Sequence, residues 1–493
     1  MSHLNRHNNL NSVRNNRRAS KRYPWLVLSV TSIGVMLTLL NVGTLNVALP
    51  DIANHFHAGS TSASWILLSY MLANTILILV FGRMADIFGR KKMYLAGFIL
   101  FTGVSLLIGI SPNVAVLIIL RMFQAAGGAM IITNTTALLT DSFPEPLLSR
   151  GLGINVLVSS VAQLVGPVLG GWIAFQLGWR WVFWFNVPLG VIGVVWAAFT
   201  LHEGTKPEKR ETIDWVGSGL IFIVLAGLIL ALSEGGVLGW LSPIVMLGAA
   251  VFVIGLPIFV VQQQHSPAPV VDLQLLRSRN ISLSYIAALF NNMVRTSVVL
   301  LIALFFESTS GLNPFAAGLR VLPVTIGMML MSPIAGSLAA RFTYRLLSAV
   351  GLAVTIIGLA LLAGFLGGGH ALLLSLVAMF LVGAGAGLFM TPNTTFIMTS
   401  VPTERRGIAN GLRSMLQNMG QVIGTALSLA LVTSGLPTRL KNAVYAGRMA
   451  HVSHTDIQLL TTGFHWALTA LLAASVAGIV AALLRTKGRQ WDI

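Results

Sequence analysis

The chain has no cysteine among its 493 residues. Disulfides, thiolate chemistry and cysteine-ligated zinc are therefore excluded. Charge is also scarce: Asp, Glu, Lys and Arg together make up 9%, against roughly 25% in a soluble protein. Acids are the rarer sign, with 14 against 31 Lys and Arg. Asp51, Glu234 and Glu307 fall at one end of their apolar runs. Asp86, Asp141, Glu145, Asp214, Asp272 and Glu404 fall at or near the other. No acid falls clearly in the middle of such a run. Reactive clusters are missing too. His55 with His57 and His451 with His454 are the suggestive pairs, and neither has a convincing third ligand at metal spacing. An enzyme is not expected, and neither is a metal or a cofactor.

Apolar length is abundant. Hydrophobic residues make up 55% of the chain, and a helix needs about 20 mostly apolar residues to span the hydrocarbon. Such runs begin near Trp25, Ser62, Met93, Val114, Gly151, Trp181, Trp215, Leu241, Ile281, Phe315, Leu346, Leu372, Ile408 and Phe464. The expected fold is an all-α polytopic membrane protein with 14 transmembrane helices. The boundary between helices 3 and 4 is marked only by Ser111, Pro112 and Asn113.

A net charge of +17 would suit a nucleic-acid binder, but the distribution argues for a bilayer. Arg6, Arg14, Arg17, Arg18, Lys21 and Arg22 precede the first run. Arg83 to Lys92, Arg150, Lys206 to Arg210, Arg277 to Arg279, Arg341 to Arg345, Arg405 to Arg406 and Arg485 to Arg489 follow. With an even number of spans these all fall on one side. The positive-inside rule makes that side cytoplasmic, with both termini inside a cell (plasma or inner) membrane. The exceptions on the other side are Arg180 and the last outer loop, with Arg439, Lys441 and Arg448.

The chain also repeats itself. Asn134-Thr135-Thr136 recurs as Asn393-Thr394-Thr395, and a shift of 258 positions places Pro144 on Pro402, Gly153 on Gly411, Gln163 on Gln421 and Gly166 on Gly424. Parallel halves related by an axis along the membrane normal are a transporter signature. The expected division is a basic disordered tail at 1–24, a six-helix bundle at 25–201, linkers with two inserted helices at 202–280, a second six-helix bundle at 281–485 and a tail at 486–493.

Between helices 2 and 3 stand Gly82, Asp86, Gly89, Arg90, Lys91 and Lys92, in the pattern G-x-x-x-D-x-x-G-R-K-K. A positive loop sets topology, but this spacing is more specific. It resembles the signature loop of the major facilitator superfamily. The six-two-six layout resembles that superfamily's 14-helix drug:proton antiporters, over nearly the whole chain. On helix 5, Gly153, Gly166, Pro167, Gly170 and Gly171 resemble the exporters' antiporter motif, with Ala162 where Gly is usual. On helix 4, Leu117, Arg121, Gln124, Gly127 and Ala129 resemble a motif whose Arg is linked to proton transfer. Trp179 to Gly190 resembles the family's entry to helix 6. Helix 1 resembles the family signature with one departure: Asn41 stands where an acid is typical. Asn does not titrate. With Asn41 neutral, Asp51 and Glu307 join Arg121 as proton-coupling candidates.

Arg121 and Arg295 are the deep charges. Arg295 lies about 14 residues into helix 9, roughly 21 Å along it. Asn155, Ser159 and Gln163 recur every fourth residue on helix 5, and Arg413, Gln417 and Gln421 on helix 13. The repeat shift maps one set onto the other. A single such residue reads as interhelical glue. The paired stripes read as the lining of a central cavity, completed by Asn41, Gln124, Asn291, Asn292 and Arg295. The resemblance implies proton-coupled efflux of drugs or other small amphipathic compounds by alternating access, as a monomer driven by the proton gradient. The departure at Asn41 leaves a facilitator, or a carrier of one metabolite or organic anion, as the alternative.

Overall fold

A computed structural model describes residues 22–58, 60–202, 214–266, 269–271, 273–310, 314–365, 371–434, 436–437 and 454–486. The N-terminal tail, Lys206 to Arg210, Asp272, Arg439 to Arg448, His451 and the residues after Thr486 lie outside them. Among the described residues, 14 helices are long and apolar enough to cross a membrane. They are α1 (Tyr23–His55), α2 (Ser60–Phe88), α3 (Arg90–Gly109), α4 (Val114–Ser142), α5 (Glu145–Leu177), α6 (Trp179–Thr200) and α7 (Trp215–Leu238). Then come α8 (Pro243–His265), α9 (Arg279–Ser310), α10 (Ala316–Leu338), α11 (Tyr344–Phe365), α12 (Ala371–Thr399), α13 (Arg406–Thr433) and α14 (His454–Leu483).

Local chemistry sets the helix ends. Asn113 begins α4 by accepting from the Val116 N–H at 2.9 Å, which satisfies one of the orphan donors of a first turn. Gly89 separates α2 from α3 with a φ of +96°, a conformation that a side chain resists. The connection read as a charged loop is therefore this single residue, and Asp86 belongs to the last turn of α2. Two helices start well before their apolar runs, α5 at Glu145 and α14 at His454. Charged and polar residues lie ahead of the runs, Glu145, Ser149 and Arg150 in α5 and His454, Thr455 and Asp456 in α14, so hydropathy marks the bilayer-spanning part and not the helix.

Helix pairing repeats between the halves. α1 packs on α5, α2 and α3 pack on α4, and α3 packs on α6. The second half repeats this as α9 on α13, α10 and α11 on α12, and α11 on α14. The two sets meet along two seams, α2 against α13 and α5 against α10. Each seam is the image of the other under the repeat.

The inserted α7 and α8 pack on each other, with a Cβ built on Gly227 lying 2.7 Å from the Gly248 carbonyl. The Asp214 carboxylate joins their basic ends, accepting from the Gly217 N–H at 2.7 Å and from the Gln262 and Gln263 amides at 3.0 and 2.8 Å. Burial pushes this carboxyl up, but these hydrogen bonds together bring it below the ordinary carboxylate range. α7 leans on the seam between α2 and α13. Ile221 and Val224 join an apolar cluster with Ile78 and Leu79 of α2 and Leu412 and Met415 of α13. At the chain's end, buried Arg485 donates to Asn393 of α12 at 2.6 Å, and the Thr486 N–H donates to Asn280 of α9 at 2.9 Å.

Candidate functional site: a polar gate and three deep arginines

The gate is built where α2 meets α13. A Cβ on Gly82 would lie 2.6 Å from the Gly407 carbonyl, and one on Gly407 would lie 2.4 Å from the Gly82 carbonyl. Only residues without side chains permit this approach. It brings Asp86 to the first turn of α13. The Gly407 and Ile408 N–H groups each donate to its carboxylate at 3.0 Å. These donors have no intrahelical acceptor, and the helix dipole adds positive potential there. Arg90 pairs with Asp86 at 3.4 Å, pairs with Asp141 of α4, and donates to the Thr403 carbonyl at 2.5 Å. Arg406 donates to Asp141 at 2.9 Å. Lys91 turns away to the Ala198 carbonyl at 3.0 Å, and Lys92 is exposed. Of the expected gate residues, the structure thus joins Gly82, Asp86 and Arg90 across the seam, gives Gly89 the turn, and leaves both lysines outside the network.

At the other seam, a Cβ on Gly336 of α10 would lie 2.4 Å from the Ser149 carbonyl of α5. Ser149 bonds the Thr395 hydroxyl of α12 at 3.1 Å. Gly153 packs on Ser332 and Pro333 of α10, while Gly166, Pro167 and Gly170 pack on Gly43 and Thr44 of α1, with Gly171 beside Val47. The glycines of α5 therefore serve both its own bundle and the seam. The close approaches at Gly82 and Gly336 both lie toward the end that carries Arg90, Arg341 and Arg406, so this basic end is closed.

Arg121 is 1% exposed. Its guanidinium donates to Asn41 of α1 at 2.7 Å, to Gln124 at 2.5 Å and to the Ile66 carbonyl of α2 at 3.4 Å. It also stacks 4.2 Å from the centre of the Tyr70 ring. Gln124 passes the network on to Ser105 of α3 at 2.6 Å. Every acceptor is neutral, and the Asn41 Nδ2 is buried without a partner. Asp51 is exposed, about 15 Å further along α1 than Asn41 at 1.5 Å per residue. Glu307 is partly buried, about 18 Å beyond Arg295 on α9. The structure brings neither acid to Arg121.

The polar stripes behave differently from a simple cavity lining. The Ser159 hydroxyl returns to the Asn155 carbonyl at 2.8 Å, and the Gln163 amide to the Ser159 carbonyl at 3.4 Å. Arg413 is buried and turns onto its own helix, donating to Asn410 at 2.8 and 3.0 Å and to Gln417 at 2.8 Å. The Gln421 carbonyl accepts from Thr425 at 3.0 Å. Asn292 of α9 donates to the Gln417 carbonyl of α13, and Arg295 donates to Asn292 at 2.9 Å. A cavity of about 280 Å³ lies elsewhere, between α2 and the inserted pair, walled by Trp65, Leu72, Phe222, Glu234 and Leu247.

Reading the sequence missed Asp141, Arg406, Tyr70, Ser105 and the bond from the Asn410 amide to the Thr133 carbonyl at 2.7 Å across the seam. One signal was present: Arg406-Gly407 follows Pro402 as Arg150-Gly151 follows Pro144, and Arg406-Gly407 opens the helix that Asp86 caps.

The model of the Major Facilitator Superfamily matches residues 31–425. The multidrug resistance protein Stp of Mycobacterium tuberculosis (strain CDC 1551 / Oshkosh) is 33% identical over 419 residues, covering 84% of this chain and 77% of that protein. The riboflavin transporter RibZ of Clostridioides difficile (strain 630) is 28% identical over 405 residues, covering 82% and 87%. The proton:xylose symporter XylE superposes with a TM-score of 0.63 at 14% identity, covering 94% of each chain. Two six-helix sets joined by two equivalent seams, the family match and these relatives agree: the chain belongs to the major facilitator superfamily of membrane transporters.

Proposed function

We propose that this transporter exports small amphipathic compounds across the cell membrane by proton-coupled alternating access, with the basic end in the cytoplasm. One observation carries the reading. Asp86 holds the first turn of α13 through two backbone N–H groups, so the bundles are joined at the basic end by contacts that break without unfolding either one. Stp, a multidrug resistance protein, supports efflux, and RibZ, a riboflavin transporter, supports a narrower cargo. A membrane potential supplies about 2.3 kcal/mol per charge per 100 mV, enough to bias such a two-state rocker. Purified protein in proteoliposomes tests this, with the pH gradient and the voltage varied separately. Uphill flux should follow the proton gradient and fall about ten-fold or more in Asp86→Asn, a loss of at least about 1.4 kcal/mol in the coupled step. A second reading is a facilitator. The neutral Asn41 beside Arg121 favours it, since that network has no group that titrates near neutrality. Counterflow that is indifferent to the proton gradient selects this reading.

A further inference from the structure

The three deep arginines are not equivalent. Arg121 donates from Nε and Nη1 to the Ile66 carbonyl, Asn41 and Gln124, on three helices, and lies over the Tyr70 ring. Arg413 is saturated by Asn410, Gln417 and Ser414. Arg295 makes one described hydrogen bond, to Asn292 Oδ1 at 2.9 Å, and is partly exposed. It stands about 24 Å along α9 at 1.5 Å per residue, near the helix middle. One turn earlier on the same face is Asn291, 6% exposed, whose Nδ2 is buried without a hydrogen-bond partner. The Asn292 and Gln417 bridge ties this face to α13 and to the charge of Arg413. The ion pairs of Asp86 and Asp141 lie at the gate. None reaches Arg295.

Donors are therefore in surplus. A guanidinium that served only to glue helices would be enclosed by acceptors, as Arg121 and Arg413 are. A guanidinium at membrane depth with free N–H groups, beside an unused amide donor, lacks an acceptor of opposite charge. Its planar fork fits a carboxylate through two parallel hydrogen bonds.

We propose that Arg295, with Asn291 beside it, is a carboxylate-binding subsite, and that the transported compound carries an anionic group. The proposal rests on the transporter reading and names its cargo's charge. It says nothing about the driving ion, so it is tested by binding without any gradient.

The experiment uses full-length protein in nanodiscs and two aromatic scaffolds, naphthalene and biphenyl. Each is offered as the acetate, the acetamide and the corresponding ethylamine. On at least one scaffold the acetate should bind about ten-fold more tightly than the acetamide, with the amine weakest, a difference readable by titration. Arg295→Gln should abolish that preference and leave acetamide binding within about two-fold. Arg295→Lys should keep part of it, and Asn291→Leu should weaken the acetate selectively. The proposal is overturned if no acetate binds saturably, if the amine binds as tightly as the acetate, or if Arg295→Gln weakens all three equally. Should Arg295→Gln fail to fold, the wild-type ranking and the lysine variant still decide the matter.

Discussion

Arg121 donates to neutral oxygens on three helices, and the nearest of these on α1 belongs to Asn41. An amide in that place does the geometric work of a carboxylate without its charge. It fixes the guanidinium and joins α1 to α4, but it neither takes nor gives a proton. Asn41→Asp would put a carboxylate about where the amide oxygen is now. Coulomb attraction in a medium of low dielectric would then compete with the cost of desolvating the new charge. Asn41→Ala would instead leave a charged donor short of an acceptor, at a cost of about 1–3 kcal/mol. Thermal unfolding in detergent should therefore rank Asn41→Ala below the wild type. Transport by Asn41→Asp should gain a pH-dependent limb that the wild type lacks at this site. A superimposable pH profile for the two proteins would show that the Asn41 position does not govern coupling.

At the scale of helices, the seam between α2 and α13 depends on two glycines whose backbones face each other. A valine at Gly407 would meet the Gly82 carbonyl and the Asp86 carboxylate, 2.4 and 2.5 Å from the new Cβ. Backbone does not yield as a flexible side chain does, so the helices must separate. Gly407→Val should open the basic end. Leu79, fully buried at this seam, is the reporter. In the naturally cysteine-free chain, Leu79→Cys should react with a membrane-impermeant maleimide several-fold faster when Gly407→Val is present. Unchanged labelling would mean that the seam does not gate access. Much of this element was legible in the residues: the spacing of Gly82, Asp86 and Gly89, and the fourteen apolar runs, survive intact. What acceptor or donor each charge meets was not legible. Asp86 is held by backbone N–H groups more than 300 residues away, and no local pattern encodes a partner supplied by another helix's end. The stripes on α5 and α13 were visible as spacing, but rotamers decide whether a polar group faces a cavity or returns to its own helix. Ser159 and Gln163 show the second outcome.

The whole molecule combines symmetry with one deliberate break in it. Equivalent helix pairs hold each half, and equivalent seams join them, yet the acid Asp86 and the inserted α7 both sit at the seam of α2 and α13. The seam of α5 and α10 has smaller polar groups: Ser149 faces Thr395 at 3.1 Å and backs onto Gly336. If the halves move as bodies, both seams must part in every cycle, including the one that Ser149 and Thr395 bridge. A covalent tie there should stop transport even though the Asp86 gate is untouched. Ser149→Cys combined with Thr395→Cys places two thiols where the hydroxyls stand 3.1 Å apart, the side-chain proximity that a disulfide requires. Oxidation should cut transport by about ten-fold or more, and a reductant should restore it. The matched control is Asn280→Cys with Thr486→Cys, whose side chains lie 3.3 Å apart within one half. Oxidising that pair should leave transport unchanged, because no rigid-body motion separates it. Full activity in the oxidised Ser149–Thr395 pair would mean that the second seam stays shut throughout, and that access alternates by bending within α2 and α13 alone.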